Sequence, residues 1–435
     1  MLKILKIVLV VISIIGMTLL YNSCSERSLP PELTVGNGYD YTSSYDDTAS
    51  FWFNFMGNNT FRELSVYTPP EYDPADTTTL YPVLYLLHGY GGDHDYFTHR
   101  YGLNEIADEL IATGEIEPMI IATIDASSIL GGGWYTNTEA FDTVQVIDTL
   151  YWTYTDWDED TGNPIESTAV EGTFVVDRTF AGLYEDLVVQ ELKRQIENSY
   201  NVYSDRQYVG IGGHSMGGYG AMKLAMKHPD VYGSVSSMSG PLSFQLLIGW
   251  IDSVLAENGI VAGNENNETL FHNMTPTHTK PLTSMMLSMA SVFSPYPIDD
   301  TTYTDSSYYV NLPIYDTLKT VFQLQVELPF NWTYLETETL DDDIWNKWLA
   351  EDCLSMLDST YSSSLTNTAV YMDCGDNDEL GIKAHNDAFD QQLTAEGITH
   401  EYIVYSGYVG NDANHADFIS QRLREILKFH SENFQ

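Results

Sequence analysis

The pentapeptide Gly213-His214-Ser215-Met216-Gly217 constrains this chain more than any other stretch. It follows a short β-type run, Tyr208 to Gly212, and opens a helical run, Tyr219 to Lys227, which His228-Pro229 closes. A serine between strand and helix at that spacing sits on a sharp, strained turn, and only small residues two before and two after it avoid a clash. The helix behind it aims its first N–H groups and the positive end of its dipole at charge developing on a bound group. Ser215 therefore reads as a nucleophile, with the Met216 N–H as a donor to an oxyanion. A glycine-rich turn alone would give the same five letters, and it is the flanking strand and helix that favour the catalytic reading.

The rest of the chain keeps the same rhythm. Short β-type runs at Leu64 to Tyr67, Val83 to Leu87, Met119 to Ile124, Tyr208 to Gly212, Gly233 to Met238, Ala369 to Asp373 and Tyr402 to Tyr405 alternate with amphipathic helical patterns. Among the latter are Asn104 to Ala112, Tyr184 to Tyr200 and Ala416 to Phe429, with apolar residues recurring every three to four positions. Strands alternating with helices predict an α/β fold with a mostly parallel sheet. Two segments break the pattern: Trp134 to Gly172, and a longer insertion from Pro241 to Asn367.

Several well-separated motifs carry a resemblance. They are Tyr67-Thr68-Pro69-Pro70-Glu71-Tyr72, Tyr81-Pro82-Val83-Leu84-Tyr85-Leu86-Leu87-His88-Gly89, Tyr184-Glu185-Asp186, and Gly213 to Gly220 continuing to His228-Pro229-Asp230. With them the chain resembles the esterase family of α/β-hydrolases that includes feruloyl and acetyl-xylan esterases (carbohydrate esterase family 1), the esterase D group and the antigen 85 mycolyltransferases. The likeness spans about Thr60 to Gly240 and Ala369 to the C-terminus, leaving out the N-terminal segment and the insertion. It implies an α/β-hydrolase fold with helices on both faces of the sheet, and the insertion falls ahead of the strand bearing the catalytic acid, where many α/β-hydrolases carry a cap. It also implies a second oxyanion donor, the Tyr90 N–H, in the loop His88-Gly89-Tyr90-Gly91-Gly92.

In this fold the histidine follows the acid late in the chain. Of eleven histidines, four lie beyond residue 380, and only His415 falls in a loop between the last strand and the last helix. The family's closing motif, a glycine-rich loop ending in histidine and then an aromatic residue, is met by Gly407 to His415 and Phe418. The acid belongs after the strand Ala369 to Asp373, where Asp373, Asp376, Asp378 and Glu379 crowd together. The resemblance aligns Gly375 to Glu379 with the family's Gly-x-x-Asp turn and so picks Asp378, the others reading as solvated surface charges.

Composition narrows the remaining classes. Sixty-two acidic against 18 basic residues give a formal charge of −44, which repels nucleic-acid phosphates and anionic lipid surfaces. With 43% apolar residues the chain can bury a large core. Lys3 and Lys6 precede an uncharged apolar stretch from Ile7 to Leu20, an export signal by pattern, and Ser23-Cys24 behind it resembles a bacterial lipobox. The expected organisation is thus a signal at 1–23, lipidation at Cys24, a flexible tether at 24–50 and a hydrolase domain at 51–435 with a cap-like insertion at 241–367. Membrane attachment would run through the lipid alone, at a bacterial cell envelope (periplasm or cell surface), the alternative being ordinary secretion. The histidines lack H-E-x-x-H spacing, and Asp156 to Asp160 lacks the glycine and glutamate of a calcium loop, so no metal or other cofactor is expected. Cys353 and Cys374 either pair or remain buried thiols.

Trp134 and the insertion's Trp250 and Trp332 offer flat faces for sugar or aromatic acyl groups, although rings of this kind also build cores. The expected activity is serine ester hydrolysis through an acyl-enzyme, on feruloyl or acetyl esters of plant polysaccharide. The rivals are an acyltransferase or siderophore or thioester hydrolase of the same fold, and a non-catalytic carbohydrate-binding lipoprotein.

Overall fold

The computed structural model describes residues 63–128, 130–138, 182–295, 308–310, 326–357, 361, 363–407 and 413–435 in full, with the backbone alone for several further strands. The signal segment, Cys24 and the side chains of Asp156 to Asp160 lie outside the described residues.

Among the described residues nine strands form the central sheet: β1 (Ser44–Asp46), β2 (Ser50–Phe55), β3 (Asn58–Thr68), β4 (Val83–Leu87), β5 (Ile120–Ile124), β6 (Val209–His214), β7 (Ser234–Met238), β8 (Ala369–Gly375) and β9 (Glu401–Tyr405). Their spatial order is β1-β3-β5-β4-β6-β7-β8-β9, with β2 also on β3. The six strands from β5 to β9 are parallel, and β3 joins them antiparallel. Strand β1 falls inside the segment expected to be a tether. At a sheet edge backbone pairing suffices to hold it, Ser44 opposite Thr68, and its polar composition hid this.

Strand β4 is buried over its whole length, with partners on both sides. A parallel strand covered on both faces reads as a continuous apolar run, which is what Val-Leu-Tyr-Leu-Leu is. Alternate residues feed two cores. Val83, Tyr85 and Leu87 join the larger one, while Leu84 and Leu86 join a smaller one with Phe97, Leu103, Leu423 and Ile426. The smaller core is covered by helices α1 (Tyr96–Tyr101), α2 (Leu103–Thr113) and the C-terminal helix Ile419–Asn433. On the larger face lies α3 (Met216–Lys227), which starts immediately behind Ser215.

Among the described residues the insertion forms no core of its own. Its helices α4 (Pro281–Phe293) and α5 (Asp342–Leu349) place Leu287, Phe293 and Trp348 in the same apolar cluster as α3 and the sheet. Trp348 lies 5.7 Å from Phe293 and donates its indole N–H to Ser294. Beyond it come α6 (Ile382–Ala395) and α7 (Ile419–Asn433). Helix α7 begins three residues later than the apolar periodicity indicates, because Phe418 adopts a left-handed backbone (φ 59°) that ends the preceding turn.

Candidate active site

Ser215 stands at the C-terminal end of β6 with φ 56° and ψ −118°, a conformation that L side chains rarely adopt and that stores strain at a turn. Its N–H donates to Met238 O on β7, and its carbonyl receives Tyr219 N–H in the first turn of α3. The two glycines of the motif have a steric reason. A Cβ at Gly217 would stand 1.9 Å from Leu87 O, and one at Gly213 would stand 2.5 Å from the Gly217 backbone. The helix therefore starts hard against the end of β4, so Met216 N–H, one of the first four amides without an intrahelical carbonyl, lies at the serine. At the far end of α3, Lys227 and His228 both bond Glu185 at 2.6 and 2.8 Å. Burial raises the Glu185 carboxyl, but these two partners outweigh it and bring it down to about 2.

The His88 loop lies alongside. His88 donates from Nδ1 to Gly89 O at 2.8 Å and accepts Ala126 N–H on Nε2 at 2.9 Å, which fixes its neutral tautomer. The Tyr90 hydroxyl donates to Leu130 O at 2.6 Å, and Gly91 N–H to Gly131 O, so the loop is clamped to 130–131.

His415 completes the arrangement. Its Nε2 is 2.8 Å from Ser215 Oγ and its Nδ1 is 2.7 Å from Asp378 Oδ2. The carboxylate only accepts, so Nδ1 carries the proton and Nε2 is free to take the one on Ser215. Asp378 Oδ1 accepts Leu380 N–H at 3.0 Å and Ile382 N–H at 3.4 Å, and the Cys374 thiol reaches Oδ2 at 3.6 Å. Burial opposes ionisation of Asp378, yet the charge of His415 and these bonds hold it below its ordinary value. For His415, burial disfavours the imidazolium, and the Asp378 charge outweighs it, so its pKa lies above 6.5.

The neighbouring carboxylates are not idle surface charges. Glu379 accepts the backbone N–H of His415 at 2.8 Å, and Asp376 accepts that of Ala413 at 3.0 Å. Asp373 is fully buried in an ion pair with Arg422. Arg422 belongs to none of the motifs that mark the site in the sequence, although a charged residue among Ile419, Leu423 and Ile426 on the apolar face of α7 is a readable signal.

The tryptophans go to several places. Trp134 is 1% exposed, donates to Ser288 Oγ at 3.1 Å and packs 6.5 Å from the Tyr90 ring. Trp250 is 9% exposed and donates to Leu380 O at 3.1 Å, beside the acid. Trp332 is half-buried against Phe271 and His272 within the insertion. The first two rings are thus packed into the protein, and Trp332 keeps open surface. Cys353 and Cys374 are free, buried thiols. Among the described residues no group of three or more His, Cys, Asp or Glu side chains could hold a metal ion.

A mostly parallel sheet, a strained serine between β6 and α3, and a histidine and aspartate on loops after later strands define an α/β-hydrolase with a Ser–His–Asp constellation. The esterase family model, described as "Putative esterase", matches residues 131–424, and the chain belongs to that family. Esterase Rv1288 of Mycobacterium tuberculosis is 29% identical over 192 residues, covering 43% of this chain and 32% of that protein. The chain thus spans about a third of the length of such curated relatives. Endo-1,4-beta-xylanase Y of Acetivibrio thermocellus is 38% identical over 71 residues, 16% of this chain and 6% of that protein. A solved ferulic acid esterase shares the fold, with a TM-score of 0.50 and 19% identity over 91% of this chain and 100% of that one.

Proposed function

We propose that the protein is a serine carboxylic ester hydrolase working through an acyl-enzyme. The observation that carries this is the continuous path from Ser215 Oγ through His415 to Asp378, at 2.8 and 2.7 Å. Ser215 Oγ attacks the ester carbonyl carbon while His415 Nε2 takes its proton. The tetrahedral oxyanion is met by the Met216 and Tyr90 N–H groups, and Asp378 stabilises the imidazolium. Collapse expels the alcohol, protonated by His415. Water, deprotonated by the same Nε2, then attacks the acyl carbon and releases the acid and the free serine.

We assign the substrate to feruloyl or acetyl esters of plant polysaccharide. Membership of the esterase family and the structural likeness to a ferulic acid esterase support this. Lys3, Lys6, the apolar stretch behind them and Cys24 favour an exported protein with a lipid anchor in a bacterial envelope. Purified protein assayed on p-nitrophenyl acetate, methyl ferulate and acetylated xylan tests the reading. Release of acid from the first and at least one natural-type ester, lost in Ser215→Ala, is expected. Turnover that survives Ser215→Ala would overturn the mechanism, and cleavage of p-nitrophenyl acetate alone would overturn the substrate class.

A further inference from the structure

Among the described residues the hydrogen-bond partners of the His415 backbone are side chains. Its N–H donates to the Glu379 carboxylate, and its carbonyl receives His214 Nε2 at 3.1 Å and Arg422 Nη1 at 3.4 Å. Of these, His214 stands apart because it is bonded covalently to Ser215. Its backbone ends β6 and sets the elbow, while its side chain, 2% exposed, crosses to the loop of the base. The two imidazoles lie 5.1 Å apart.

The hydrogen-bond roles of His214 are fixed by its neighbours. A carbonyl oxygen accepts only, so Nε2 carries the proton. Nδ1 then offers a lone pair, and the Tyr96 hydroxyl donates to it at 2.8 Å from a ring stacked on the imidazole at 16°. Burial, then the charges of His415 and Arg422, keep His214 neutral, so it adds no second cation when His415 takes the serine proton.

We propose that His214 is a positioning residue: its Nε2–H, oriented by Tyr96, holds the His415 backbone so that the base stays within reach of the adjacent nucleophile. The inference rests on the hydrolase reading above and adds the element that sets the distance between two of its groups. Nucleophile and base come from parts of the chain 200 residues apart. Without a tie their separation would follow the loop that carries His415, and a misplacement of about 1 Å at a reacting centre costs on the order of 10²-fold in rate.

The experiment compares wild type, His214→Gln, His214→Phe and Tyr96→Phe by steady-state kinetics on p-nitrophenyl acetate, and by the low-field proton resonance of His415 Nδ1–H in the resting protein. Glutamine places an N–H near the position of Nε2, whereas phenylalanine keeps the ring and removes the donor. For His214→Phe, kcat falls about 10- to 100-fold with KM nearly unchanged, and the low-field proton shifts or broadens. His214→Gln restores most of both. Tyr96→Phe, which leaves the imidazole but frees its tautomer, gives a smaller fall in the same direction. A folded His214→Phe with wild-type kcat and an unchanged proton signal overturns the proposal, as does equal damage in the Gln and Phe variants. Should His214→Phe fail to fold, Tyr96→Phe decides, and full activity there with an unmoved signal is the overturning result. The resonance is read without turnover, so the positioning role is tested even if the esters are not hydrolysed. Conversely, an active enzyme killed by Ser215→Ala but indifferent to the other three variants sinks this inference alone.

Discussion

Main chain does most of the holding at Ser215, whereas side chains do most of it at His415. The elbow at Ser215 is fixed by main chain: a strand paired on both sides, a helix starting at the next residue, and two glycines that let backbones approach to where a Cβ would clash. The loop at His415 is held mainly by side chains from three elements, His214 of β6, Asp376 and Glu379 of the turn after β8, and Arg422 of α7, beside one main-chain bond from Asn377 N–H to Ala413 O at 3.1 Å. Steric rigidity of the first kind tolerates almost no substitution within it. Hydrogen bonding of the second kind is spread over several partners, so the loss of one leaves others in place. One half of the active site is thus largely a local property of the chain, and the other half largely a property of the assembled fold.

The largest expected effect is at the nucleophile. Ser215→Ala should lower kcat by a factor on the order of 10⁶ while leaving the fold intact, since the side chain is small and the backbone turn is unchanged. A melting temperature near wild type, measured together with the loss of activity, checks both halves of the statement.

Asp378 comes next. Asp378→Asn should lower kcat by roughly 10⁴, as loss of a triad carboxylate does elsewhere. The same variant tests the electrostatics through a pH profile. His415 must be neutral to accept the serine proton, and its pKa lies above 6.5 because of Asp378. In the wild type kcat/KM therefore rises with pH through a midpoint above 6.5, and removing the carboxylate should move the residual activity's midpoint down. A midpoint that stays in place would mean that the titrating group is not His415, and near-normal activity in Asp378→Asn would hand the acid's role to Asp376 or Glu379.

A third test separates the two kinds of support directly. Gly217→Ala drives a methyl into Leu87 O and should destabilise the fold by about 3 kcal/mol or more, or prevent soluble expression. Asn414→Ala in the histidine loop removes only a side chain that bonds Asp417, and should cost less than about 1 kcal/mol. Denaturant unfolding of both variants gives the comparison, and equal losses would erase the distinction.

The smallest effect is expected at Glu379. Glu379→Ala takes one charge-assisted bond from the His415 N–H, and kcat should fall about tenfold. Glu379→Gln keeps an acceptor and should lie within about threefold of wild type. If alanine and glutamine behave alike, the carboxylate acts on His415 through its charge rather than as an anchor for its backbone.

The strand-serine-helix turn and the alternation that makes a parallel sheet are legible in the residues, and the late loop of the base follows once the chain order of the resembled fold is added. Each of these depends on short-range constraints: glycines two residues either side of Ser215, an unbroken apolar run in a doubly covered strand, and turn residues between periodic segments. Even the edge strand at Ser44–Asp46 escaped that reading, because pairing at a sheet edge asks little of side-chain composition. The roles of Asp376, Glu379, His214 and Arg422, and the packing of Trp134 and Trp250 inside while Trp332 keeps open surface, arise from long-range contacts. A carboxylate in a loop looks the same in sequence whether it meets water or the amide of a residue 36 positions later, as Glu379 does with His415. Side-chain bonds of that kind carry no periodicity and no fixed spacing, so they come into being only when the sheet brings the ends of β6 and β8 and the loop after β9 together.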